Sequence, residues 1–162
     1  MQYPSVQFIS PSTAAELDCL RGIFMEYARS LPIDLCFQGF EAELADLPGE
    51  YLEPRGALLM ALVDEQPAGC CALRALDTVD YSNACEMKRL FVRKDFRGSG
   101  IGRQLAEIVL ERARLAGYAY LLLDTLNEME TARELYQDLG FKEIAPYYHN
   151  PIEGAHYLMV VL

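Results

Sequence analysis

Between residues 97 and 102 the chain reads Arg97-Gly98-Ser99-Gly100-Ile101-Gly102. Three glycines at alternate positions let a backbone turn tightly through positive φ and keep side chains away from a close ligand. Ile101, Leu105, Ile108, Val109, Arg112 and Leu115 follow at helical spacing and predict a helix to about Ala116, closed by Gly117. The start of such a helix carries unpaired N–H groups and a partial positive charge. Loop and helix start together make a nest for a pyrophosphate. Arg97, Arg103 and Lys94 add cationic side chains beside it. Two familiar phosphate loops do not fit. A nucleoside-triphosphate loop needs Lys-Ser/Thr after its last glycine, where this chain has Arg103-Gln104. A dinucleotide fingerprint is spaced G-x-G-x-x-G, whereas Gly98, Gly100 and Gly102 are spaced G-x-G-x-G.

Charge placement supports a local anion site. The chain has 162 residues and a formal net charge of −10. Residues 1–86 hold 14 acidic and 4 basic side chains, and residues 87–162 hold 10 of each. Within the second part Lys88, Arg89, Arg93, Lys94, Arg97 and Arg103 are accompanied only by Asp95. An acidic protein that concentrates its cations in this way points to an anionic ligand there, the structural alternative being a solvated basic turn. The acidic balance speaks against a nucleic-acid partner. No apolar run approaches the roughly 18 residues of a membrane span, so no membrane partner is expected. The start, Met1-Gln2-Tyr3-Pro4-Ser5, has neither the basic nor the apolar region of a signal peptide. Five cysteines, Cys19, Cys36, Cys70, Cys71 and Cys85, include no CxxC pair and no Cys/His spacing suited to a metal. Free thiols in a reducing cytoplasm, with no metal, are the expectation.

The elements that must position the loop follow from periodicity and breakers. Residues 6–9 read as a strand. Leu17, Leu20, Ile23, Phe24 and Tyr27 mark a helix over about 13–29, capped by Ser12 or Thr13 with Glu16, and ended by Pro32. A short helix precedes Pro48-Gly49. Residues 57–63 form a strand, Asp64-Glu65-Gln66-Pro67 a turn, and 68–76 its hairpin partner. Further strands are expected at 86–92, 118–123, 141–144 and 155–162, with a helix over 131–139 closed by Gly140. Cys70 and Cys71, adjacent on a strand, should face opposite sides of the sheet. The order β-α-(α)-β-β-β-α-β-α-β-β describes one α/β (α+β) domain over residues 1–162, a mixed sheet with helices on its faces.

The third use of this loop physics is R/Q-x-x-G-x-G/A, which Arg97, Gly100 and Gly102 match. With Glu86-Met87-Lys88-Arg89-Leu90-Phe91-Val92 before it, the segment closely resembles the GCN5-related N-acetyltransferase (GNAT) superfamily. A second segment fits as well: Leu121-Leu122-Leu123-Asp124-Thr125, then Ala132, Leu135, Tyr136, Leu139, Gly140 and Phe141 at the superfamily's spacing. Together they delimit an acyl-CoA-binding core over about 84–141. The resemblance implies a mostly antiparallel sheet of about six or seven strands whose central strands splay apart. It implies that the pantetheine arm of acetyl-CoA pairs with main-chain groups of Leu90, Phe91 and Val92. The pyrophosphate would rest on the amides of Arg97, Gly98, Ser99, Gly100, Ile101, Gly102 and Arg103. One departure stands out. Many members carry Asn three residues before the helix Ala, where this chain has Met129, with Asn127 two residues earlier. Met129 is therefore a candidate contact to the pantetheine arm, core packing being the alternative.

The reaction so implied is direct attack of an amine on the thioester, which calls for a general base and a proton donor for the thiolate. Glu86, eleven residues before Arg97, matches the position of a catalytic Glu in some members. Its alternatives are binding a substrate ammonium or pairing with Lys88 on the same strand face. Tyr136 matches the superfamily's acid, with aromatic packing under the sheet as the alternative. The loop Tyr147-Tyr148-His149-Asn150-Pro151 is placed to wall the acceptor pocket, and His149 is a second base candidate or a surface residue. His156 earns no role, and Cys85, without a matched His, reads as a core thiol. The expected acceptor is a primary amine on a small molecule. Asp34, Glu41, Glu43, Asp46, Glu50, Glu53, Asp77 and Asp80 would form an acidic rim that steers a cation inward. A non-catalytic acyl-CoA-binding module and a protein N-terminal or lysine acetyltransferase are the alternatives. The apolar run Tyr157–Leu162 would need covering, which points to a homodimer.

Overall fold

A computed structural model of the protein describes residues 3–32, 34, 35, 39–126, 130–148 and 153–162. Strand β1 (Val6–Ile9) leads into helix α1 (Ala14–Ser30), capped by Thr13: its hydroxyl accepts from the Glu16 amide at 3.1 Å, and the Glu16 carboxylate accepts from the Thr13 amide at 3.1 Å. This capping box places the start of α1 one residue beyond the expected position. Helix α2 (Phe40–Asp46) and a short 3₁₀ turn (Gly49–Tyr51) precede β2 (Ala57–Val63) and β3 (Gln66–Leu76). The hairpin turn is tighter than the sequence suggested. Asp64 and Glu65 alone make it, at φ of 47° and 68°, so Gln66 and Pro67 already belong to β3. After β4 (Ala84–Val92) come α3 (Ile101–Leu115), β5 (Tyr120–Leu126), α4 (Glu130–Asp138), β6 (Lys142–Ile144) and β7 (Ala155–Val161). Among the described residues no helix is long and apolar enough to cross a membrane.

The strands form one seven-stranded sheet in the order β1-β2-β3-β4-β5-β7-β6. All neighbours are antiparallel except β4 and β5, whose parallel pairing requires the crossover that α3 supplies. One face packs Leu59, Cys71, Leu73 and Leu121 against Leu105 and Val109 of α3 and Tyr136 of α4. The other packs Leu58, Met60 and Cys70 against Leu20 and Phe24 of α1 and Phe40 of α2. Cys70 and Cys71 do face opposite sides. The run Tyr157–Leu162 is not a sheet edge: β7 lies between β5 and the short β6, so the edge argument for a homodimer falls away.

The irregularity that matters lies in β4. Ala72 pairs with Lys88 and Cys70 with Phe91, so Arg89 and Leu90 together oppose Cys71. This is a β-bulge, and Arg89 takes φ of 62° within it, a left-handed backbone that a bulky residue adopts only when its surroundings compel it. Gly69 is one such constraint, since a Cβ there would lie 2.6 Å from the Phe91 carbonyl oxygen. The Arg89 side chain is another. It is 4% exposed, donates to Glu43 of α2 through Nε and Nη2 at 2.9 Å each, and lies 5.2 Å from the Phe40 ring centre and 6.0 Å from that of Tyr27. Bidentate pairing and two aromatic faces bind the bulge to α1 and α2. Glu43→Ala should therefore cost about 3–5 kcal/mol in urea unfolding by leaving a buried guanidinium without its carboxylate. Adding Arg89→Met to that variant should restore most of the loss.

Candidate active site

The bulge turns β4 away from β5. The two strands pair only over Ala84–Glu86 against Tyr120–Leu122, although β4 runs on to Val92 and β5 to Leu126. On its other side β5 stays paired to β7 as far as Leu126 with Ala155. Beyond Glu86 the facing main-chain groups of the two strands form a fork, open to an extended ligand that pairs as a strand would. The expected splay is thus present, and Leu90, Phe91 and Val92 lie on its β4 side.

The glycine loop closes the mouth of the fork. Gly98 and Gly100 take φ of 89° and 83°, and a Cβ on either would meet nothing within 4 Å. Arg97 braces the turn by donating from Nε to the Val92 carbonyl at 2.8 Å, and its guanidinium lies 5.6 Å from the Phe91 ring centre. The Ser99 hydroxyl donates to the Phe96 carbonyl at 3.1 Å. The Gln104 amide donates back to Gly100 at 3.1 Å, which leaves the amides of Ile101, Gly102 and Arg103 without intrahelical acceptors. The basic cluster is narrower than the sequence implied. Arg89 pairs with Glu43, Arg93 with Glu26 at 2.8 Å and Arg103 with Asp138 at 2.8 Å. Among the described residues Lys94 and Arg97 have no carboxylate within 4 Å, so the loop's uncompensated charge is theirs.

At the crotch of the fork sits Glu86, 1% exposed. Arg74 donates to its Oε1 from Nε at 2.8 Å, and the Tyr147 hydroxyl donates to its Oε2 at 2.7 Å. Arg74 also donates from Nη1 to Glu50. Across the fork the Tyr148 hydroxyl donates to Asp124 of β5 at 2.6 Å. Tyr147, Tyr148 and Tyr157 cluster with ring centroids 5.4 to 5.6 Å apart, and Tyr147 and Tyr148 wall a cavity of about 220 Å³. Its lining is Arg74, Leu76, Thr78, Glu86, Lys88, Tyr147 and Tyr148. Loss of water pushes the Asp124 carboxyl up, with Glu86 adding, against the lowering effects of its Tyr148 bond, Lys88 and Arg89. The same loss pushes the Lys88 ammonium down, with Arg89 and Arg74 adding, against the raising effect of Glu86.

Tyr136 lies elsewhere in the site, buried under the sheet with its ring edge against Phe141 at 5.5 Å. Burial holds its phenol well above the ordinary range, and Cys71, Tyr27 and Asp124 add to this, so it stays protonated at neutral pH. Among the described residues its hydroxyl makes no hydrogen bond. Burial also raises the Cys85 thiol to about 12, consistent with a core thiol and not a nucleophile. Met129, Asn127 and His149 lie outside the described residues. Glu86 pairs with Arg74 and Tyr147, a pairing the sequence reading did not foresee. Asp124 and Arg74 were missed as site residues, although each is a charge inside an otherwise apolar strand, and the hairpin register sets Arg74 directly opposite Glu86. Much of the expected acidic rim is already spent: Glu43 on Arg89, Glu50 on Arg74, Glu53 on Arg112 and Asp77 on Arg55.

An open sheet forked between two parallel strands, with a glycine-turned helix start at its mouth, is the architecture of acyl-CoA N-acyltransferases. The profile of the Acetyltransferase (GNAT) family matches residues 20–141, and the chain belongs to that family. It is 36% identical to an uncharacterized N-acetyltransferase of Schizosaccharomyces pombe, over 88% of this chain and 86% of that one. It is 30% identical to the N-acetylaspartate synthetase of Rattus norvegicus over 79% of this chain, which spans only 42% of that protein. Among solved structures, one from Salmonella typhimurium with its cofactor acetyl-CoA superposes with a TM-score of 0.69 at 14% identity, covering 96% of this chain and 93% of the other.

Because the folded state raises the Asp124 pKa, its contribution to stability is present at low pH and is lost as pH rises through the folded value. Asp124→Asn keeps an acceptor for Tyr148 and abolishes that loss. Urea midpoints of the variant should therefore gain on those of the wild type as pH rises above the ordinary carboxylate range, from about pH 4 to 8.

Proposed function

We propose that the protein transfers the acetyl group of acetyl-CoA to a primary amine of a small molecule by direct attack. The observation that carries this reading is the fork beyond Glu86, opening beside the loop whose Gly98 and Gly100 leave room for a close ligand. Main-chain groups of Leu90, Phe91 and Val92 hold the pantetheine arm as an added strand, and the amides from Arg97 to Arg103 hold the pyrophosphate. Arg97 and Lys94 supply charge there.

Glu86 sits where the amine enters. Each of its oxygens accepts one hydrogen bond in the structure and retains a lone pair to take the amine proton, directly or through water. The amine nitrogen forms its bond to the acyl carbon, and the carbon–sulfur bond breaks. Tyr136 donates its phenolic proton to the departing thiolate. Tyr147 and Tyr148 exclude water from the acceptor. At about 220 Å³ the cavity falls below the roughly 300–1,000 Å³ of drug-sized pockets, which favours a small acceptor over a peptide. The relative named for N-acetylaspartate, a small acetylated amino acid, supports the same choice.

Thiol release from acetyl-CoA with a panel of primary amines tests the reading. Gly100→Asp should abolish acetyl-CoA binding in calorimetry by placing a carboxylate at the pyrophosphate. Glu86→Gln should bind acetyl-CoA normally and lose about 10²-fold or more in kcat, and Tyr136→Phe should also lower kcat with binding intact. Failure of the folded wild type to bind either acetyl-CoA or CoA would contradict the reading.

A further inference from the structure

The charges lining the acceptor cavity do not match a purely cationic guest. Among the described residues Arg74, Glu86 and Lys88 are its charged lining residues, two cations against one carboxylate. Arg74 lies directly across the β3–β4 ladder from Glu86, and Lys88 stands two residues further along β4, so the three groups share one face of the sheet. Asp124 adds a second carboxylate on the β5 side, behind the Tyr148 hydroxyl. The pocket thus has an acidic side, Glu86 and Asp124 with their tyrosines, and a basic side.

We propose that Arg74 and Lys88 form a carboxylate-binding end of this pocket, and that the acceptor is a small amine that also carries a carboxylate, as amino acids do. The proposal rests on the acetyl-transfer reading above and deepens it. Arg74 commits Nε to Glu86 and Nη1 to Glu50, and among the described residues its Nη2 donates to nothing. A planar fork with an unspent nitrogen, held rigid at its other two, is a preorganised carboxylate donor. Lys88 has a partner already, and its ammonium lines the same cavity as a second cation beside Arg74. Burial strips water from the half-buried Lys88 ammonium, whose charged neighbours are Glu86 and Asp124 as well as Arg89 and Arg74, and an incoming carboxylate offsets that lost hydration. The amine of the same guest then faces Glu86, which takes its proton as the nitrogen attacks the thioester.

Polyamines and aminoglycosides, which the acidic surface alone would favour, are selected against. Their second ammonium would lie against Arg74 and Lys88, a repulsive element within the pocket. Of the acids expected to draw them in, Glu43, Glu50, Glu53 and Asp77 are already paired, Glu50 with Arg74 itself.

Steady-state thiol release with matched acceptors decides the matter: L-lysine against cadaverine, L-leucine against isopentylamine, and spermidine. The carboxylate-bearing member of each pair should have a kcat/KM about 10- to 100-fold higher, the range a charged hydrogen bond supplies. Lys88→Gln should shrink that ratio at least about tenfold, chiefly through KM for the carboxylate-bearing member. Arg74→Lys should shrink it too, and acetyl-CoA binding by each variant establishes that it is folded. Equal or better turnover of cadaverine, isopentylamine or spermidine, or a ratio unmoved by Lys88→Gln, overturns the proposal while leaving acetyl transfer intact. No turnover of any of these amines by a protein that binds acetyl-CoA overturns the acceptor assignment. Loss of acetyl-CoA binding in the wild type instead overturns the transferase reading beneath it.

Discussion

Everything in this structure that bears on chemistry depends on the termination of one hydrogen-bond ladder. Strands β4 and β5 pair through Glu86 and Leu122 and then separate, each continuing in the same sheet through its other neighbour. A sheet interior normally leaves no main-chain donor or acceptor unpaired, because an orphaned group costs about 1–3 kcal/mol. Here the deficit is concentrated in one place, and it is the bulge at Arg89 and Leu90 that creates it. The strain at Arg89 is sustained by Gly69 on the neighbouring strand β3 and by the ion pair that ties its side chain to Glu43. The fork is therefore a property of the packed N-terminal half as well as of the two strands that form it.

The electrostatics follow the same logic of local compensation. The acidic half and the basic segment do not confront each other as two fields. They interlock residue by residue: Glu26 with Arg93, Glu43 with Arg89, Glu50 with Arg74. Among the described residues of the basic segment, what remains without a carboxylate is Lys94 and Arg97 at the glycine loop, while the chain as a whole keeps its net charge of −10. An exposed pair such as Glu26 with Arg93 contributes only about 0–1 kcal/mol to stability and serves mainly to define where net charge is left, unlike the buried pair of Glu43 with Arg89.

The order of elements was legible in the sequence because it rests on periodicity and punctuation. Gly117 and Gly140 close their helices, and the apolar run 57–63 is a strand over its whole length. The glycine loop was legible because its chemistry is local. The fork's cause was not. A bulge is a mismatch between two strands, and nothing within Glu86–Val92 announces that Cys71 will face two residues. Arg89 reads as one more cation in a basic run, yet it is buried and paired to a residue 46 positions away. Asp124 and Arg74 were overlooked for the same reason, since their roles come from what lies across the sheet. The edge argument at Tyr157–Leu162 failed because β6, only three residues long, was sufficient to place β7 inside the sheet.

Amide hydrogen exchange with and without acetyl-CoA tests the fork most directly. If the open ladder receives the pantetheine arm and the helix start receives the pyrophosphate, protection should rise in two segments, residues 89–92 and 98–103, and change little along β1 and β2. Saturating acetyl-CoA that leaves both segments exchanging at their free rates, or that protects a different face of the sheet, would contradict the assignment of this fork as the acyl-CoA site.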